Sequence, residues 1–189
     1  MRLSEFILAN ELPIRLGFFF GVFGVMALWE LISPRRRLRT SKAVRWINNL
    51  GLVFFNSFVL RLVFPAAAVG MAVFAAEQGW GLFNYFDTPL WLAVLLSVAA
   101  MDFFIWLQHV MVHAIPVLWR LHRIHHADLD FDVTTGARFH TLEILLSMLI
   151  KFAVIMLLGP PVVAIVIFVV VLNATARFDL SYVRFPPHL

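Results

Sequence analysis

The chain has no cysteine among its 189 residues, which excludes disulfides and thiolate metal sites. Charge is scarce too. Asp, Glu, Lys and Arg make up 14% of the residues, against roughly a quarter in soluble domains. A water-soluble domain is thereby excluded, and the chain reads as an all-α membrane protein. There is no internal repeat, no low-complexity tract, and no flavin, haem or iron–sulfur motif. The opening "MRLSEFILANELP" places acids early and lacks a short apolar core followed by a cleavage site, so the first apolar span is expected to stay in the membrane.

What is present is mostly grease: 62% of the residues are hydrophobic, with 20 phenylalanines and 6 tryptophans suited to lipid-facing and interfacial positions. The formal charge of +4 does not point to nucleic acid. In a membrane chain it reads as Lys and Arg on the cytoplasmic side, which set orientation and meet anionic headgroups.

A spanning helix needs about 20 mostly apolar residues. The first candidate covers residues 14–32 and runs into the basic stretch "SPRRRLRTSKAVRW", whose six Lys and Arg mark the cytoplasmic side. The second covers 50–76. It contains Arg61 and Pro65, with an interfacial start near 46–56. The loop "EQGWGLFNYFDTP" has no Lys or Arg and belongs to the other side. A third span starts near Pro89 and ends at His113, back on the cytoplasmic side. The last apolar block, 142–172, is longer than one tilted span requires and is interrupted by Gly159-Pro160-Pro161. It predicts a helical hairpin, with a single kinked helix as the alternative because the arms are short. About four transmembrane helices result, with a short cytoplasmic helix between the third and fourth. Residues 1–46 form an N-terminal helix with its basic loop, and 47–189 form the main membrane domain.

Five of the seven histidines fall in "LQHVMVHAIPVLWRLHRIHHADLD". His109 and His113 are spaced i, i+4 and share a helix face, with Cβ atoms about 5–6 Å apart. His122, His125 and His126 are spaced i, i+3, i+4 and share another. Pro116 ends the first helix, so the second group can fold back toward the first. His140 stands just before the last apolar block. One HxxxH occurs readily by chance; HxxxH followed closely by HxxHH does not. Neutral imidazole suits zinc, copper, iron and nickel. A four-ligand structural zinc site would not need so many rings, and five or six argue for two metals. A transport path would place its ligands near the bilayer midplane, whereas these lie at one membrane face.

Asp102 lies about two turns before His109. It either accepts a hydrogen bond from a ligand's second ring nitrogen or pairs with an arginine. Glu143 either does the same for a ring or is a first-turn acid favoured by the helix dipole. Lys151 either snorkels or faces a cavity. "DLDFD" (Asp128, Asp130, Asp132) reads as a solvated loop.

The stretch from Asp102 to Glu143 resembles the fatty acid hydroxylase/sterol desaturase superfamily of membrane di-iron oxidases. The likeness extends over roughly 45–186. The matching motifs are the HxxxH of His109 and His113, the HxxHH of His122, His125 and His126, and the R-x-H-x-x-E of Arg138, His140 and Glu143. The resemblance implies two irons held by histidines at the cytoplasmic face of a four-helix core. It also implies dioxygen as oxidant, a membrane lipid as substrate, and an external electron donor of reductase, ferredoxin or cytochrome type. Family members carry a third histidine group beginning with a motif like N-A-T-A-x-F-N-H-x-N. Here "NATARFDLSYVRFPPHL" has Leu180 and Tyr182 where histidine and asparagine are expected, and no second HxxHH precedes Leu189. The sequence therefore reads as a C-terminally truncated member, with a second iron short of ligands. His188 does not replace a cluster.

Overall fold

The computed structural model describes residues 3–34 and 38–179. The described chain is helical and contains no strand. Helix α1 (Leu3–Ala9) leads into α2 (Glu11–Ile32), then α3 (Lys42–Val63), α4 (Ala67–Glu77) and the single turn α5 (Leu82–Tyr85). After these come α6 (Leu90–Ala114), α7 (Pro116–His126), a 3-10 turn at Thr135–Ala137, α8 (Thr141–Leu158) and α9 (Val162–Asp179). Among the described residues, α2, the α3–α5 segment, α6 and α8 are each long and apolar enough to cross a membrane; α9 is a shorter apolar helix. The protein is an all-α integral membrane protein.

The second span is not one straight helix. Pro65 offers no backbone donor, and its ring would clash with the carbonyl of residue 61. The chain accordingly breaks after Val63, passes through Ala67 at φ 51°, and resumes as α4. α3 carries polar residues along its length. Asn49 and Asn56 are buried there against the loop that precedes α8.

Four helices enclose the centre of the bundle. Ala72 of α4, Met101 of α6, Ile155 of α8 and Ile165 of α9 meet there, each almost wholly buried. Alanines at 68, 72 and 75 let α4 approach its neighbours closely, the usual way helices associate in lipid. In cyclic order the neighbours are α4, α8, α6 and α9, and α2 packs outside against α9. The expected turn at Gly159-Pro160-Pro161 does separate two helices, but these stand diagonally across the bundle. α4 and α6 fill the space between them. Gly159 closes α8 in the left-handed conformation (φ 61°), its N–H bonded to the Ile155 carbonyl. A Cβ on Gly81 would fall 2.1 Å from the Gly159 nitrogen, so only glycine permits this contact at the end of the bundle away from the histidines.

Candidate metal centre

The last two turns of α6 carry His109 and His113. Ile115 is extended, and Pro116 starts α7 at its first position, where its missing N–H costs no hydrogen bond. The sharp turn folds α7 back, and five imidazoles meet. Ring centroids lie 4.8 Å apart for His109–His113, 4.9 Å for His109–His122 and 4.8 Å for His113–His122. His126 sits 5.0 Å from both His113 and His122, and His125 is 5.2 Å from His126. One ligating nitrogen from each of His109, His113 and His122 falls within 4.8 Å of the others. The Nε2 atoms of His122 and His126 face each other at 3.2 Å. Two nitrogens sharing one metal at about 2.1 Å lie roughly 3.0–3.4 Å apart, so this pair is already at ligand spacing.

The rings are held from behind. The Nδ1–H of His122 donates to Glu143 Oε1 at 2.6 Å, leaving Nε2 as the lone-pair nitrogen on the cluster side. The Nδ1–H of His125 donates to the Arg138 carbonyl at 3.2 Å, and its ring stacks on Phe139 with centroids 4.6 Å apart. Trp119 lies against His113 and His126 at 5.3 and 5.6 Å. Burial, reinforced by the neighbouring His122 and His126, pushes His125 down to about 4. Burial lowers His126 in the same direction. Both rings are neutral near pH 7 and ready to ligate without first releasing a proton.

Not every expected residue joins. His140 caps the N-terminus of α8; its Nδ1 accepts from the Leu142 N–H at 3.1 Å, and it has no ring contact with the five. A residue at that position has extended backbone, and its side chain serves the helix end rather than the cluster. Asp102 is exposed on α6 and makes no hydrogen bond or ion pair among the described residues. The carboxylate behind an imidazole is Glu143. Arg138 contributes its carbonyl, while its guanidinium bonds Asn49 Oδ1 at 3.3 Å. Lys151 is half-buried midway along α8. Leu180, Tyr182 and His188 lie outside the described residues.

The reading of Asp128, Asp130 and Asp132 as a solvated loop is overturned, since all three are buried. Asp128 receives Arg45 Nε at 2.8 Å and Nη2 at 3.1 Å, Asn49 Nδ2 at 3.1 Å and Thr135 Oγ1 at 2.8 Å. Burial works against its charge, but the bonds from Thr135, Arg45 and Asn49 prevail and hold the carboxyl below the usual range. Asp130 accepts the Arg39 and Thr40 amides at 2.8 and 2.9 Å. Asp132 takes Trp46 Nε1 at 3.0 Å and Arg45 Nη2 at 3.0 Å. From α2, buried Glu30 accepts the Val133 N–H at 2.7 Å. This clamp ties the loop to α2 and α3, and the same loop delivers the Arg138 carbonyl and Phe139 to His125. The available signal was the polar series Arg45, Asn49 and Asn56 (i, i+4, i+11) along one face of a largely apolar helix.

The donor set fits a cation. Glu143 Oε2 is buried with no hydrogen-bond partner, and the facing Nε2 pair calls for a charge or proton between its nitrogens. Imidazole with carboxylate suits iron as well as zinc. A family model described as fatty acid hydroxylase matches residues 94–189, the segment that holds all five clustered histidines and Glu143. No curated protein and no solved structure matches the chain.

Proposed function

Because the chain belongs to the fatty acid hydroxylase family, we propose that it is a membrane-bound, iron-dependent oxidase that hydroxylates or desaturates a lipid C–H bond with dioxygen. The observation that carries this reading is the convergence of His109, His113, His122, His125 and His126 at one end of an apolar bundle. Those five would hold iron, with Glu143 beside them. Bound iron would supply the activation of dioxygen with electrons from an external donor. The protein's own part is to keep the rings neutral, fix their tautomers through Glu143 and the Arg138 carbonyl, and hold the site at a depth a bilayer lipid can reach sideways. We place the histidine end at the cytoplasmic face, where Arg39, Lys42, Arg120 and Arg123 also lie.

The test is oxygen-dependent product formation. The iron-loaded chain in nanodiscs, given lipid extract, a chemical reductant and dioxygen, is expected to yield hydroxylated or unsaturated lipid by mass spectrometry. The His125→Ala variant is expected to yield none. A second reading is a catalytically silent membrane protein that binds one metal. The engagement of His140 at a helix cap favours it, because this removes one ring from the count. A single bound iron with no oxygen-dependent lipid product would select that reading.

A further inference from the structure

A crevice of about 460 Å³ runs between α2, α3 and α9. Sites for small ligands typically span about 300–1,000 Å³. Its walls are apolar: Leu16 and Phe20 of α2, Val53 and Phe54 of α3, Val170 of α9. None of the five clustered histidines lines it. Two cations do. Arg15 is ion-paired with Glu11 one turn earlier on α2. Arg177 has no acid partner among the described residues, although only 3% of it is exposed.

The placement of the Arg177 guanidinium is specific. Its Nη1 donates to the Asn173 carbonyl at 2.7 Å and to Asn173 Oδ1 at 3.2 Å. Its Cζ rests 3.9 Å from the Phe19 ring centroid, a cation–π contact. Nε is buried with no hydrogen-bond partner. The edge that Nε shares with Nη2 is not the one Asn173 takes. That edge presents two parallel N–H donors, the geometry that takes a carboxylate with both oxygens. A buried cation without a counter-charge is costly inside a membrane and normally faces a functional partner. Arg177 lies close to the end of α9, which packs against the 3-10 turn at the histidine end of the bundle, so its depth suits a headgroup of that leaflet.

We infer that this crevice binds a fatty acid, its carboxylate on the Nε–Nη2 edge of Arg177 and its chain along the apolar walls of α2 and α3. The single charge and the room for one chain favour a free fatty acid over a two-chain phospholipid. The site is separate from the metal centre, so it stands or falls independently of the oxidation chemistry.

The experiment uses the purified chain in phosphatidylcholine nanodiscs and a photoactivatable fatty acid bearing its reactive group near the chain end. Labelled peptides are expected to map to α2 and α3. Unlabelled oleate is expected to compete about tenfold better than oleyl alcohol, which has the chain without the charge. Arg177→Gln is expected to remove that preference, and Arg177→Lys to restore part of it. Ser57→Trp, which fills the crevice and leaves Arg177 in place, is expected to abolish labelling while bound metal stays unchanged. Equal competition by oleyl alcohol would overturn the proposal, as would undiminished labelling in folded Arg177→Gln or in folded Ser57→Trp. Displacement by phosphatidylglycerol but not by oleate would overturn it in favour of a phosphate headgroup.

Discussion

His122 and His125 differ from the other clustered rings in having their rear nitrogens bonded, one to a carboxylate and one to a main-chain carbonyl. A carbonyl cannot be removed by mutating a side chain, but the carboxylate can. Glu143→Ala is expected to weaken metal binding by about 10–100-fold. Glu143→Gln still offers an oxygen to Nδ1–H and should lose less; competition titration against a chelator measures both. The metal-free protein carries a pH signature as well. The folded His125 titrates near 4, the unfolded one near 6.5, so between these values the unfolded chain binds more protons. Stability is therefore level above pH 6.5 and falls as pH drops toward 4, by about 3 kcal/mol for this residue. Thermal melts of the metal-free protein across that range check the direction. Saturation with metal should raise stability above pH 6.5 and steepen the fall below it, because a metal-bound ring takes up no proton while the unfolded chain still does.

At the scale of elements, the aspartate clamp decides whether the loop before α8 can present its groups to His125. Arg45→Ala would leave Asp128 charged and buried with its chief partner gone, a loss of about 3–5 kcal/mol. The Arg45→Ala/Asp128→Ala pair should recover a substantial part of it, measured by unfolding in detergent. The helices themselves were legible in the sequence because lipid imposes a plain code: long apolar runs, proline breaks, basic loops. The clamp was not legible. Its partners across the helices are separated by 79 to 103 positions, from Asn49–Asp128 to Glu30–Val133, and no local pattern reports such pairing. "DLDFD" looks like surface because aspartate is usually solvated; here the arginine of a neighbouring helix end reverses that. The HxxxH and HxxHH spacing correctly brought five rings together because both are helix-face arguments. The bond from the Leu142 amide to His140 at the start of α8 is a helix-cap contact that the histidine spacing does not signal.

For the whole molecule, the bundle has two distinct ends. One carries the five histidines and the clamp, the other the Gly81–Gly159 contact. The absence of cysteine makes the orientation directly measurable, because any introduced thiol reports without background. Single cysteines at Thr40 and Ala127 are expected to react with an impermeant maleimide only from the cytoplasmic side, and ones at Glu77 and Asp87 only from the opposite side. The reverse pattern would place the metal centre outside the cell.

The central claim is that imidazoles from α6 and α7 together ligate iron. X-ray absorption at the iron edge of protein produced with iron tests it most directly. Iron held by these rings is expected to show a first shell of nitrogen and oxygen with the outer-shell scattering of several imidazoles, and folded His125→Ala to lose most of its iron. A folded protein that takes up no iron, or one whose iron keeps the same imidazole scattering after His125 is replaced, would contradict it.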